Sequence, residues 1–234
     1  MTQPRVCAVM LVDGRPEMVA RAIRSFEAQT YPVADRLLFL YNSGSPFPEP
    51  ASDSLIAILR RPKDTIGAMR NAAIREIPKG YADIIVHWDS DDWSAPERIA
   101  EQVALLTNPT RWHTALEAVG YSDMLFWDTR TNEAWLYTGS PAYMCGTSLC
   151  YWRDTWKRKP FPAVNQGEDT AWQMGLQSLS VRSFNGTQAV GHNLPRPRMV
   201  CSIHGGNISS HVDQRSQQWR RVPKWDEWCR GVMA

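Results

Sequence analysis

Short apolar runs alternate with helix-periodic stretches through about the first 110 residues, and this alternation restricts the fold more than any other feature of the chain. VCAVMLV, from Val6 to Val12, is strand-like and is ended by Asp13-Gly14. PEMVARAIRSFEAQT follows, with Met18, Val19, Ala22, Ile23 and Phe26 on one helical face. DRLLFLYN (Asp35 to Asn42) reads as a second strand closed by the turn SGSPFPEP, and SLIAILRR (Ser54 to Arg61) as a shorter third. TIGAMRNAAIREI is a helix that ends before Pro78 and Gly80, and ADIIVHWD is a fourth strand. Ser94, with Glu97 three residues on, predicts a capping box, and Pro96 suits a first helical turn. Ile99, Val103 and Leu106 continue that helix.

Strands alternating with helices predict an α/β fold: a doubly wound, mostly parallel central sheet with helices on both faces. Strands covered on both faces can be apolar throughout. Ligands of such sheets bind beyond the carboxyl ends of the strands. Asp13, Asn42 and an acidic cluster after the fourth strand all lie at such ends. From about Leu125 the rhythm changes. EAWLYTG and GTSLCYWRD look like antiparallel strands, EDTAWQMGLQSL like a helix, and SVRSFN and QAVGHNL like short strands. This half reads as a small antiparallel extension of the sheet, followed over 211–234 by a basic, tryptophan-rich tail.

The chain has 234 residues, 43% of them apolar, and a net charge of +2. At this size roughly 70% of the unfolded surface can be buried. The charge is too small to argue for a nucleic-acid partner by itself. The 5 cysteines are odd in number and include no C-x-x-C pair, which suits neither a zinc ribbon nor a disulfide framework. Reduced thiols in a cytoplasmic protein are the expectation. The N-terminus has no signal-peptide layout, and no run approaches the roughly 20 apolar residues that span a bilayer. The sequons at Asn185 and Asn207 carry weight only in a secreted chain.

The fourth strand runs into IIVHWDSDDWSAPERI, where Asp89, Asp91 and Asp92 fall within four residues, flanked by Trp88 and Trp93. Three adjacent carboxylates are costly to ionise together unless a cation screens them. Mg²⁺ and Mn²⁺ favour such oxygen ligands, commonly shared with substrate phosphates. An acidic turn at a helix N-terminus accounts for the same charges through the helix dipole. Both readings stand on spacing alone.

The pattern resembles the D-x-D motif of glycosyltransferases with the GT-A fold, in particular the DSDD form of family 2. Further pieces follow the order of that family. YNSGS (Tyr41 to Ser45) resembles its VDDGS, and IGAMRNAAI (Ile66 to Ile74) its G-x-x-x-A-R-N-x-G-I. GEDTAW (Gly167 to Trp172) resembles its ED motif, and CSIHGGNIS (Cys201 to Ser209) places a histidine where many GT-A enzymes bind metal. The resemblance spans roughly residues 5 to 210. It implies one GT-A domain over 1–210, with a nucleotide-binding half (1–110) and an acceptor-binding half (111–210). It further implies a nucleotide-sugar donor, a UDP-sugar first, with Mn²⁺ or Mg²⁺ and inversion at the transferred sugar. Asp89 would lie near the ribose, Asp91 on the metal with His204, and Asp92 beside the metal or the donor sugar. Arg70 would contact the base or diphosphate, and Asp169, with Glu168 beside it, would be the catalytic base. The chain departs from the pattern at Asn42 and Ser43, where the family has acids that read the nucleobase. It departs again at LVDGRPEM, where Asp13 either takes a polar contact or caps the next helix.

The acceptor is less legible. YWRDTWKRKPF and RSQQWRRVPKWDEW combine tryptophans with Arg153, Lys157, Arg158, Lys159, Arg215, Arg220, Arg221 and Lys224. Aromatic faces stack on sugars or bases, and Arg and Lys hold phosphates. A carbohydrate or glycolipid acceptor is what the resemblance implies. A polyanion, such as DNA with hydroxylated bases or a phosphate-bearing lipid carrier, is the alternative. So are a non-catalytic nucleotide-sugar-binding relative and a metal-dependent phosphatase or nucleotidyltransferase, although GEDTAW and IHGGN have no evident task in the last two.

Overall fold

The computed structural model describes residues 3–32, 35–44, 56–108, 115–181, 197–207, 212 and 216–234. Four parallel strands form one side of its larger sheet: β1 (Val6–Val12), β2 (Arg36–Asn42), β3 (Ile56–Arg60) and β4 (Ile84–His87). With β6 (Ala118–Tyr121), β9 (Cys150–Trp152) and β10 (Ser178–Val181) the spatial order is β10-β6-β9-β4-β1-β2-β3, and β9 alone runs antiparallel to its neighbours. Side chains of β1 alternate between two cores. Val6, Ala8, Met10 and Val12 pack with Val19, Ala22, Ile23 and Phe26 of α1 (Pro16–Glu27) and with Ile99, Val103 and Leu106 of α3 (Arg98–Thr107). Cys7 and Val9 pack with Met69, Ala73 and Ile74 of α2 (Ile66–Glu76). Each large apolar side chain so buried contributes about 1.5–3 kcal/mol.

The chain steps outward from β1 to β2 and β3, then returns to the other side of β1 as β4. The crevice beyond the carboxyl ends of β1 and β4 is therefore a topological switch point, where ligands of open α/β sheets bind. Asp13 leaves β1 there, and the Asp89–Asp92 turn leaves β4.

A second sheet has the order β12-β8-β7-β11-β5. It combines β5 (Trp93–Ser94), β7 (Asp123–Asp128), β8 (Glu133–Thr138), β11 (Met199–Ile203) and β12 (Trp219–Arg221). It is mixed, since β7 and β11 are parallel. Residues 219–233 of the segment expected as a tail build β12 and α6 (Asp226–Met233). Trp225, Cys229 and Met233 cover one face of this sheet over Leu125, Trp127, Leu136 and Val200. Among the described residues no helix is long and apolar enough to cross a membrane.

Three local expectations need correction. The Ser94–Glu97 capping box does not form: Ser94 lies in β5, its hydroxyl accepts from Arg98, and α3 starts at Arg98 without a side-chain cap. The helix read from Glu168 through EDTAWQMGLQSL stops at Gln173, and Gly175, at φ 79°, lets the chain turn into β10. GTSLCYWRD does contain an antiparallel strand, β9, but in the larger sheet, and it runs into α4 (Arg153–Arg158). The expected strand QAVGHNL, most of SVRSFN, most of the turn after Asn42, Asn185 and Arg215 lie outside the described residues.

Gly67, in the first turn of α2, lies against the loop before Glu168. A Cβ at this position would stand 1.8 Å from the Pro162 carbonyl oxygen. Gly67→Ala is therefore expected to destabilise the fold by about 1–3 kcal/mol, as overpacking does. Urea unfolding checks this, and an unchanged midpoint would show that the loop yields freely.

Candidate active site

A cavity of about 590 Å³ opens at the switch point. It is lined by Asp13, Arg70, Asp89, Asp91, Asp92, Glu168 and Asp169, which brings together seven of the nine residues singled out in the sequence. His204 adjoins it through Asp91. Asn42 does not line it: it is buried at the end of β2, where its Oδ1 accepts from the Gly44 N–H at 2.9 Å. Asp13 does not cap α1, whose N-cap is Arg15 with no side-chain bond. It pairs instead with Lys63, whose hydrogen bond holds its carboxyl below the usual range.

The acidic turn is pinned at both ends, by β4 in the larger sheet and by β5 in the smaller. Its three carboxylates are treated differently. Burial raises Asp89, although a third of its side chain faces the cavity, and Arg70 Nη2 offsets this from 3.6 Å. Asp91 is also pushed up by burial, but the hydrogen bond from His204 and the charge of Arg15 more than compensate and leave it below its ordinary value. Asp92 accepts from the Thr147 hydroxyl at 2.7 Å and the Ser202 N–H at 3.0 Å. Burial first, then the charges of Asp91 and Asp89, push it up to about 8. Asp92 thus keeps a proton at neutral pH, which removes one of three like charges.

Arg70 projects from α2 into the cavity floor between Asp89 and Glu168, the latter at 3.8 Å. Glu168 is buried, which raises its carboxyl against the opposing charge of Arg70. His87, at the end of β4, touches Arg70 on its other side. Burial, then the Arg70 charge, hold His87 well below its ordinary value, so it is neutral. Its Nδ1–H donates to the Gly146 carbonyl at 2.7 Å, which leaves Nε2 as an acceptor 3.2 Å from the Tyr151 hydroxyl. Asp169 is the second residue of α5 (Glu168–Gln173), with Oδ1 accepting from the Thr170 N–H at 2.7 Å and Oδ2 at 3.5 Å from the Tyr143 hydroxyl. A Cβ on Gly146 would meet Asp169 Oδ2 at 1.9 Å, so only glycine admits this carboxylate.

Sequence reasoning passed over Arg15, His87, Arg98 and Thr147. His87 was visible as a polar residue closing an apolar strand; the others carry no local signal. Arg98 is buried over the Trp88 ring at 4.9 Å and donates to the carbonyls of His87 and Thr147 at 2.8 and 2.9 Å.

Among the described residues no three His, Cys, Asp or Glu side chains form a preformed metal cage. Asp91 Oδ2 and His204 Nε2, 2.9 Å apart, are an oxygen and a nitrogen donor side by side. That donor pair fits Mn²⁺ or Mg²⁺ held jointly with ligand phosphates. In the two basic, tryptophan-bearing stretches three arginines are tied to neighbouring groups. Arg153 donates to the carbonyls of Ile74, Ile77 and Pro78, Arg158 pairs with Glu117, and Arg221 with Glu133 and Asp226.

The fold is that of GT-A-type glycosyltransferases. No protein-family model matches the sequence, and no curated protein sequence does. Among solved structures, the chain is similar to a fragment of TarS from S. aureus in complex with UDP-GlcNAc, with a TM-score of 0.63, 12% identity, and coverage of 89% of this chain and 62% of that one. It is also similar to the mannosyltransferase PcManGT from Pyrobaculum calidifontis in complex with GDP-Man and Mn²⁺, with a TM-score of 0.56, 16% identity, and coverage of 86% and 57%. The chain thus spans less than two thirds of either. At these identities the likeness is one of fold.

The Asp92 shift fixes a sign. Between the unfolded value of 3.8 and the folded value of about 8 the folded state keeps a proton that the unfolded state has lost, so Asp92 lowers stability as pH rises through that window. Asp92→Asn does not titrate. Its melting temperature is expected to rise relative to the parent between pH 5 and pH 8; a constant difference would show that Asp92 ionises normally.

Proposed function

We propose that this chain is a metal-dependent, inverting glycosyltransferase that moves a sugar from a nucleoside-diphosphate donor, a UDP-sugar, to an acceptor hydroxyl. The observation that carries this reading is the meeting of Asp89, Asp91, Arg70 and Asp169 in one cavity at the switch point of a GT-A fold. In this reading residues 1–110 hold the nucleotide, residues 111–210 shape the acceptor side, and 219–233 complete the second sheet. Asp13, with Lys63, takes the nucleoside end, and Asn42 supports the turn beside it. Asp89 faces the ribose, and Asp92, holding its proton, faces the donor sugar.

Asp91 and His204 would hold Mn²⁺ or Mg²⁺, which when bound supplies Lewis-acid charge to the leaving diphosphate. Arg70, fixed by Asp89 and Glu168, adds a guanidinium suited to phosphate oxygens. Asp169, which lines the cavity, takes the proton of the attacking hydroxyl. Attack from that side, opposite the diphosphate, inverts the anomeric carbon. Glu168 acts through Arg70 and is a positioning residue.

Among the described residues, the cations lining the cavity, Arg15, Lys63 and Arg70, come from the first half. The described second-half wall carries Phe126, Tyr137 and Trp219, with ring centroids 4.9–6.4 Å apart, and no Lys or Arg. That distribution supports a carbohydrate or glycolipid acceptor over a polyanion, whose phosphates need cations. Five free, buried cysteines support a cytoplasmic location.

Thermal stabilisation by UDP, GDP, dTDP and CMP, each with and without Mn²⁺, tests the donor. A nucleotide at about a hundred times its Kd adds about 2.7 kcal/mol. One diphosphate should stabilise strongly with metal, and Asp91→Ala should remove the effect; no response to any of them would sink the reading. Asp169→Asn should keep that binding and lose about 10²–10⁴-fold in transfer. Gly146→Ala, which drives the Asp169 carboxylate away, should behave alike. Normal transfer in both variants would remove Asp169 from the role of base.

A further inference from the structure

The loop after β1 already places a cation where the proposed function places another. Gly14 and Arg15 are both left-handed, with φ 75° at Gly14 and φ 58°, ψ 58° at Arg15. A non-glycine residue in that region is strained, and strain of this kind persists where the surroundings hold it. The double left-handed step turns the Arg15 side chain back over the carboxyl end of β1. Its Nη1 lies 3.3 Å from Asp91 Oδ2 and 2.5 Å from His204 Nε2. One guanidinium nitrogen therefore touches both groups that the proposed function gives to the divalent ion.

Two details show how firmly it is held. Arg15 enters from the solvent side: its side chain is 35% exposed, against 16% for Asp91 and 9% for His204. The Gly206 N–H donates to His204 Nδ1 at 3.0 Å, which fixes the ring with Nε2 turned toward Asp91 Oδ2 at 2.9 Å. Of the two neighbours, the Asp91 carboxylate is the one whose charge attracts Arg15.

We propose that Arg15 is a built-in cation that keeps the Asp91–His204 position until a diphosphate draws it away, so that divalent ion and diphosphate bind as a coupled pair. This rests on the reading of Asp91 and His204 as the residues that hold the ion. A guanidinium and a divalent ion repel one another at one carboxylate oxygen. A diphosphate offers Arg15 two or more oxygens in the fork geometry a guanidinium prefers. Diphosphate then raises metal affinity, and metal raises diphosphate affinity, by one shared factor.

The test measures Mn²⁺ binding to the full chain by electron paramagnetic resonance and calorimetry, with Mn²⁺ alone and with UDP or GDP present. Arg15→Gln should bind Mn²⁺ alone about tenfold tighter than the parent, within the usual span of coupled sites, and the gain in Mn²⁺ affinity from diphosphate should shrink. Arg15→Lys, which keeps the charge, should stay near the parent and so separates charge from any disturbance of the loop. Unchanged or weaker Mn²⁺ binding by Arg15→Gln, with Asp91→Asn abolishing it, would overturn the role of Arg15 and leave the metal position standing. Mn²⁺ binding that Asp91→Asn does not alter would overturn both.

Discussion

Three carboxylates within four residues, sunk at the meeting point of two sheets, are the constraint around which this molecule is arranged. Removing such charges from water costs several kcal/mol each unless they are paired or neutralised. The chain meets that cost from several elements at once. Arg70 comes from α2 on one face of the larger sheet, and Arg21 from α1 on the other, donating to the Asp91 carbonyl at 2.7 Å. Arg15 comes from the loop after β1, and Arg98 lies beneath, bracing the strand end that carries the turn. Protonation of Asp92 removes what the arginines leave. Helices on both faces are thus more than covers for apolar strands: each delivers a cation to one turn.

The first half was legible because its physics is local. Strands buried on both faces read as continuous apolar runs, and α1 and α2 show a 3.6-residue period ended by turn residues. The second half was less so. β12 pairs with β8 across a separation of more than 80 residues, and α6 covers the sheet that this pairing extends. Neither fact leaves a trace in the polar composition of 211–234. β5 is two residues long, too short for any period, yet it fixes the acidic turn. At the site, acids at strand and helix ends announced themselves. Asn42, where the chain departs from the family pattern, does not line the cavity: its amide oxygen accepts from the Gly44 N–H. Arg15 was invisible, since nothing in Asp13-Gly14-Arg15 marks the second left-handed residue.

The place of Asp169 is set by packing more than by polar bonds. α5 is only six residues long, too short to stand alone. Trp172 is fully buried and donates to the Lys159 carbonyl at 2.5 Å, while Gln173 clasps Met144 through its N–H at 2.8 Å and its carbonyl at 3.0 Å. Two glycines then allow the close approaches. Gly67 admits the Pro162 carbonyl, and Gly146 admits the carboxylate. His87 holds Gly146 from the other side. The end of β4 therefore positions two acids by different means: Asp89 through the chain itself, and Asp169 through a histidine and a missing Cβ.

The basic stretches carry a complementary lesson about charge. Counted along the sequence, 153–159 and 215–224 look like surfaces for a polyanion. In the fold Arg153 caps the carbonyls that end α2, and Arg158 and Arg221 are matched by acids. Among the described residues, the cations that reach the cavity come instead from one position after β1, one before α2 and one within it. A charge matters for binding where the backbone aims it, and here the backbone gathers cations on the side of the crevice where the two parallel strands end. Among the described residues, the opposite wall carries aromatic rings and the Asp169 carboxylate, with no Lys or Arg. In the proposed function the donor's diphosphate meets the cations, and the transferred sugar with its acceptor meets the rings and Asp169.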